Sequence, residues 1–385
     1  MKTIHSGLMH SAESEVADLF FVVLFLILFV LMLAGLYYLA TRFHRFSVIE
    51  RIALQHPKCA WLLSFSPMLL IVLAMVLTPF TTIVVVLHLI VFWAISDGIA
   101  KLLRRWKHRV RKGNPEGIAA ICATVIYFSF GFYYAHHVYE TSYSFTTQKA
   151  MQPDSLRVVF IADAHLGVTL DGDAFAVQME RIQKTNPDLV IVAGDFVDDD
   201  SERVDMERAC EALGTLDTTY GVYYSFGNHD EGYAKGSRDF TVMDLRQMLT
   251  RQGVIILEDE TVQLDTNLQL IGRLDRSAET RLPMSALMAE SDEAVYTIVV
   301  DHQPNDYAAQ AQAGADLVLS GHTHGGHIFP AGPIGVWIGA NDRYYGTEHR
   351  AQTDFIVTSG ISGWAIPFKT GAISEYVVID ITKSL

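Results

Sequence analysis

The sequence predicts an α/β domain preceded by an all-α membrane region. Three observations lead there. Long uncharged stretches crowd the first 138 of 385 residues, short β-branched runs alternate with helix-like segments afterwards, and Asp, His or Asn follows five of those runs. Half of the residues are hydrophobic and the mean hydropathy is +0.23, high for a chain that meets only water.

Residues 19–40 form the first expected span, 22 residues without a charge, enough at ~1.5 Å per residue to cross a ~30 Å hydrocarbon core. Residues 59–96 are uncharged as well. One helix of that length would reach ~57 Å, so two spans, about 59–78 and 80–96, hinged at Thr78-Pro79 fit better. Residues 117–135 make a fourth, completing a membrane region over 1–138. Arg42, Arg45, Arg51 and Lys58 lie between the first two spans, and Lys101, Arg104, Arg105, Lys107, Arg109, Arg111 and Lys112 precede the fourth. Both basic loops are expected to face the cytoplasm of a cell (inner) membrane, which puts everything after Ala135 on the other side. Before the first span, Lys2 stands against Glu13, Glu15 and Asp18, unlike the short basic start of a cleaved signal peptide.

Residues 1–138 hold 12 of the 29 basic and 6 of the 43 acidic side chains, which leaves the remainder with a net charge of about −20. A domain this acidic lacks the basic footprint of nucleic-acid binding. Cys210 is the one cysteine outside the spans, so no disulfide closes there. No protein partner is predictable from the sequence.

Residues 139–156 read as a polar linker with a turn at Pro153-Asp154, able to extend ~60 Å. From 157 to 385, RVVFIA, DLVIVA, YGVYYSF, VYTIVV and DLVLS are expected strands, with helices near 174–184, 204–213 and 242–252 between them. Alternation of this kind builds a largely buried sheet.

The runs are followed, in order, by Asp163 and His165; by Asp195; by Asn228, His229 and Asp230; by Asp301 and His302; and by His322 and His324. In α/β sheets, sites form beyond the carboxyl ends of strands. Singly, each residue has an ordinary explanation: Asp or Asn after a strand is commonly a turn or helix cap, and a lone histidine a satisfied polar group. The i, i+2 spacing of Asp163 with His165, and of His322 with His324, aims each pair to one side if the backbone stays extended. Together, so many carboxylates and imidazoles are costly to bury unless a cation compensates them. Imidazole plus carboxylate without thiolate suits Mn, Fe, Zn or Ni. The ligands exceed the needs of one ion, and two divalent ions sharing a carboxylate would use them.

The series DAH, GDFVDD, GNHD, DHQP and GHTHGGH resembles the calcineurin-like metallophosphoesterases, from about Arg157 to about Ile379, and the membrane-anchored arrangement is similar to the bacterial branch that includes the YkuE and YaeI phosphoesterases. The resemblance implies a two-sheet sandwich flanked by helices. It implies that Asp163, His165 and His324 hold one metal, that Asn228, His302 and His322 hold the other, and that Asp195 bridges them. His229 would serve as proton donor or charge stabiliser, oriented by Asp230, while a hydroxide shared by the ions attacks a phosphomono- or phosphodiester. Envelope substrates, possible lipid-linked esters among them, are the expected partners besides the bilayer. A pyrophosphate hydrolase of the UDP-diacylglucosamine type and a non-catalytic metal-binding sensor are the alternatives. His327 stands where relatives often carry Gln and is a substrate-contact candidate; Arg273 and Arg276 are phosphate-binding candidates. Asp198 and Asp199 are left outside the site, as second-row orienting groups or solvated residues. Ala164 is expected to point away from the metals.

Overall fold

The computed structural model describes residues 30–107, 113–152, 154–233 and 238–384. The described residues form two compact units, divided between Tyr127 and Phe128.

The first unit is helical: α1 (Val30–Phe43), α2 (Ser47–Ala53), α3 (Pro57–Leu77), α4 (Pro79–Lys107) and most of α5 (Pro115–His136). Pro57, Pro79 and Pro115 each open a helix, where a missing N–H costs nothing. The expected break at Thr78-Pro79 is present, with Thr78 at φ −142° and ψ 72°. Helix α4 continues to Lys107, past the expected end at 96, because Ala, Leu, Lys and Arg dominate 100–107 and no proline intervenes after Pro79. Helices α3, α4 and α5 are each long and apolar enough to cross a membrane. The expected span at 19–40 begins outside the described residues, and α1 covers its end. Leu39, Met68, Trp93 and Ala120 pack together inside this unit, while Leu62, Leu69, Val76 and Phe80 face outward. An apolar exterior of that kind suits lipid rather than water. Arg42 and Arg45 pair with Asp97 at 2.5 and 3.3 Å, and Arg104 pairs with Glu116 at 3.0 Å, so residues of the two basic segments take carboxylate partners.

The second unit contains β1 (Val138–Thr147), β2 (Ser155–Ile161), α6 (Gly172–Gln183), β3 (Leu189–Ala193), α7 (Arg203–Gly214), β4 (Val222–Ser225), α8 (Val242–Arg251), β5 (Ile255–Ile256), β6 (Glu260–Asp265) and β7 (Leu268–Gly272). Then come α9 (Met284–Leu287), β8 (Tyr296–Val300), α10 (Tyr307–Gln312), β9 (Leu317–Ser320), a 3₁₀ turn at His324–Gly326, α11 (Ala331–Trp337), β10 (Gly346–Arg350), β11 (Thr353–Val357) and β12 (Ser374–Lys383). They form two six-stranded sheets, β1-β12-β2-β3-β4-β5 and β10-β11-β9-β8-β7-β6.

Strand alternation divides the core. Val159, Ile161, Val190 and Val192 turn one way, into a core shared with α6, α7 and α8 residues such as Phe175 and Leu213. Val158, Phe160, Leu189 and Ile191 turn the other way, against Leu270, Ile298, Leu317 and Leu319 of the second sheet. The far face of that sheet, with Ile271, Val299 and Val318, packs on Met284 and Tyr307. The result is a two-sheet sandwich with helices outside. Each fully buried Val, Leu, Ile or Phe contributes about 1.5–3 kcal/mol.

Residues 138–147, most of them expected in a linker, instead form β1, parallel to β12 over its whole length. VYETSYSFTT is polar but rich in β-branched and aromatic side chains that alternate, which is what an edge strand needs. One residue, His137, separates α5 from β1. The connection is therefore short rather than a ~60 Å tether. Pro153, half of the expected turn, lies outside the described residues.

Candidate metal centre

Strands β2, β3 and β4 are parallel, as are β7, β8, β9 and β11. Their carboxyl ends carry the Asp, Asn and His residues that follow the apolar runs. The loops are tied together across the sheets: His302 Nδ1 lies 2.6 Å from the Ala193 carbonyl, and the His322 amide donates to Asp163 at 2.9 Å. Gly194 and Gly227 permit the closest approach. A Cβ on Gly194, at φ +76°, would fall 2.3 Å from Gly227 N, and one on Gly227 would fall 2.3 Å from Asp195 Oδ1. A side chain at either position would force the β3 and β4 loops apart.

Ligand atoms of Asp163, His165 and His324 lie within 4.8 Å of one another, and so do those of Asp195, His302 and His322. Asp195 Oδ2 stands between the groups, 3.0 Å from His302 Nε2 and 3.7 Å from His165 Nε2. His165 Nε2 faces His324 Nε2 at 3.1 Å. The expected extended pairs are absent. Asp163, His165, Asp195, His322 and His324 all have positive φ, from +35° to +69°. The side chains converge through left-handed turns, at a cost of about 1–3 kcal/mol each. Ala164 is buried in the core shared with α6 and α7.

Several donor atoms here fit a cation. The Ala193 carbonyl can only accept, so His302 Nδ1 carries the proton and Nε2 is left free; it lies near Asp195 in poor hydrogen-bond alignment. Nδ1 of His322, Nδ1 of His324 and Oδ1 of Asn228 are likewise buried without a hydrogen-bond partner. The amide nitrogen of Asn228 is taken by the Tyr233 hydroxyl at 2.5 Å, which leaves the oxygen as its available atom.

Electrostatics agree for two of these imidazoles, whereas at His302 burial is outweighed by Asp195 and Asp163, which raise it well above its ordinary value, so an ion held there would displace a proton. Burial holds the imidazole of His322 down to about 4, and that of His324 well below its ordinary value, so both are neutral, the ligand form. Burial pushes the Asp163 carboxyl up to about 6 against the pull of His302. For Asp195, burial is outweighed by His302 and His165, which hold it well below the usual carboxylate range.

Two expectations change. Asp230 was expected to orient His229, but its carboxylate accepts from the backbone N–H groups of Asp195, Phe196, Val197 and Gly227 at 2.8–3.2 Å. It clamps the loop that carries Asp195. His229 Nδ1 instead meets Asp198 Oδ1 at 3.0 Å, and Asp198 Oδ2 meets His165 Nδ1 at 3.1 Å. Asp198, left outside the site on sequence grounds, thus holds two of its imidazoles. The density of carboxylates in GDFVDD was the available signal, and it does not separate a solvated turn from an orienting group.

Arg273 is buried and pairs with Asp301 at 2.9 Å and Asp306 at 2.7 Å, which takes up its charge. Arg276 is exposed. His327 Nε2 is buried without a partner, its ring centroid is 5.3 Å from that of His324, and burial holds it down to about 3. Trp364, which drew no attention in the sequence, stands with its ring centroid 5.4 Å from that of His229.

Residues 156–326 match the family model of the calcineurin-like phosphoesterases. An uncharacterized metallophosphoesterase of Helicobacter pylori is 29% identical over 59% of this chain and 60% of its own. A bovine transmembrane protein with metallophosphoesterase domain is 28% identical over 58% of this chain and 52% of its own, and the uncharacterized metallophosphoesterase YkoQ of Bacillus subtilis 26% over 57% and 81%. The chain spans about 60% of the length of the Helicobacter relative it matches. A dimetal phosphatase from Danio rerio is a structural neighbour with 11% identity and a TM-score of 0.36, covering 54% of this chain and 87% of that one, a likeness too distant to bear on activity. The chain carries a calcineurin-like metallophosphoesterase domain, and the family implies a dinuclear centre of divalent ions.

Proposed function

We propose that this metallophosphoesterase domain hydrolyses phosphomono- or phosphodiester bonds at a two-ion centre, attached to a cell membrane by the helices before it. The observation that carries this reading is Asp195 Oδ2 between the two ligand groups, together with unpartnered buried nitrogens on His302, His322 and His324 and an unpartnered amide oxygen on Asn228. Asp163, His165 and His324 would hold one ion, Asn228, His302 and His322 the other, and Asp195 both. Divalent ions bound there supply activation of water at neutral pH and neutralise charge on the phosphoryl oxygens.

The protein's own groups do the rest. With Nδ1 committed to Asp198, His229 presents Nε2 as its free position. Burial opposes charging this imidazole, but Asp198 and Asp195 outweigh burial and raise its pKa, so it can hold a proton for a leaving alkoxide. Asp198 sets the tautomers of His165 and His229 together. Asp230 keeps the Asp195 loop in place.

The basic residues around α1, α2 and the end of α4 favour the cytoplasmic side for those ends. That reading puts the catalytic unit outside the cytoplasm of a multi-pass inner-membrane protein, with envelope phosphoesters as substrates.

The test is metal content together with hydrolysis of bis(4-nitrophenyl) phosphate by the full chain with added Mn²⁺. About two ions per chain and a loss of about 10²-fold or more in kcat for His229→Ala are expected. Full activity in that variant would remove His229 from the mechanism, and absence of any bound ion would remove the centre.

A further inference from the structure

The turn bearing His322, His324 and His327 leads into a segment of unusual polarity. Residues 328–340, IFPAGPIGVWIGA, include no polar or charged side chain, within a part of the chain whose net charge is about −20. The segment is also exposed: Trp337 by 84%, Ile338 by 66% and Phe329 by 56%. These side chains do not form a core, and the proposed hydrolysis of a soluble ester does not use them.

The place of the segment in the fold points to what covers it. Helix α11 is pressed on the metal-binding turn, since a Cβ on Gly326 would lie 2.8 Å from the Cα of Gly332. The His327 carbonyl accepts from the amides of Thr370 and Gly371 at 2.8 and 2.9 Å, and the Phe329 amide donates to Thr370 Oγ1 at 3.1 Å. The same stretch seats the end of α5, a helix apolar and long enough to span a bilayer. Lys369 N donates to the Gly131 carbonyl at 2.9 Å, and Phe368 meets Phe128 edge-on at 5.0 Å. The apolar segment, the metal-binding turn and the end of a spanning helix therefore meet on residues 368–371. Trp and aliphatic side chains at such a place partition into the interface between headgroups and acyl chains.

We propose that residues 328–340 dock on the lipid surface, and that the metal centre acts on phosphate esters of membrane lipids whose tails remain in the bilayer. The substrate half of this inference rests on the phosphoesterase reading; the docking half does not. Because the unit is acidic, apolar burial rather than attraction to anionic headgroups supplies the binding.

Two measurements on the full chain in dioleoylphosphatidylcholine vesicles test the halves separately. The first is the fluorescence difference between the parent and Trp337→Phe, which isolates one of the five tryptophans. The expected signal is quenched by phosphatidylcholine brominated along its acyl chains and protected from aqueous iodide. Free quenching by iodide overturns the docking, and so does protection from both quenchers, which would indicate a second copy or another protein on this face. The second is hydrolysis of dioleoylphosphatidic acid in the same vesicles and of 4-nitrophenyl phosphate in solution by the double variant Trp337→Gln, Ile338→Gln. A loss of tenfold or more on the lipid with less than a twofold change on the soluble ester is expected. Equal effects on both substrates overturn the lipid assignment. Bromine quenching in a chain inactive on either ester would leave the docking in place and remove the phosphoesterase reading.

Discussion

The first sheet brings carboxylates and imidazoles to the shared edge, and the second brings imidazoles alone to the proposed ligand set. The first contributes Asp163, Asp195, Asp198 and Asp230, whose carboxylates accept from backbone amides or imidazoles. The second contributes His302, His322 and His324, while its own carboxylate at that edge, Asp301, is turned to Arg273 and Arg281 at 2.9 and 2.5 Å. Each ligand group draws on both sheets: Asp163 and His165 with His324, and Asp195 with His302 and His322. Neither of these two groups is built by one sheet alone, although His165, Asp198 and His229, all from the first sheet, also bring their donor atoms within 4.8 Å of one another. A cation held there would act as a cross-link between the sheets as well as a reagent, because it would bind the docked arrangement and not the separated one.

The largest expected effect removes the charge at the midpoint. Asp195→Asn keeps the shape but weakens both ligand groups, and kcat/KM on an aryl phosphodiester should fall at least about 10³-fold, with bound metal falling below two ions per chain by elemental analysis. Unchanged metal content would mean that the sheets do not share a ligand.

Asp230→Ala strikes the first sheet's rim without removing a proposed ligand. Four backbone amides lose their acceptor, and a loss of about 3 kcal/mol of stability is expected, read as a lower thermal midpoint. A variant as stable as the parent would show that the Asp195 loop holds itself.

Chelation tests the cross-link directly. If each ion binds the docked sheets at 100 times its dissociation constant, removing each costs about 2.7 kcal/mol. The midpoint of a chelator-treated sample should drop and return on adding Mn²⁺, and a midpoint indifferent to metal would break the comparison.

Asp198→Asn is the finest cut. It leaves all seven proposed ligands present but loosens the orientation of His165 and His229. About a 10- to 100-fold loss of activity with little change in thermal midpoint is expected. Equal behaviour of the Asp198 and Asp230 variants would mean that the two carboxylates are not divided between chemistry and fold in the way their partners indicate.

Much of this was legible in the chain. Pro79 marked the break between α3 and α4 because proline cannot extend the preceding helix. The five apolar runs announced strands, and the polar residues after them announced a common edge. β1 was missed because an edge strand needs only one buried face, and VYETSYSFTT reads as polar until β12 is beside it. Lys369 was missed altogether. It is wholly buried, with Nζ donating to the carbonyls of Ser359, Gly360 and Ile373, and nothing in IPFKTGA distinguishes it from a surface lysine.

The division follows from range. Donor types, strand periodicity and proline breaks are local properties, so the sequence by itself determined which residues could serve a metal and that they would lie at strand ends. Which carboxylate meets which imidazole was decided only by the tertiary structure. Asp198 lies 31 residues from His229 yet holds its ring, while neighbouring Asp230 turns to the backbone. Left-handed turns at five of the proposed ligands set those directions. Such turns are held by packing between sheets, and their geometry has no signature in the residues that adopt it.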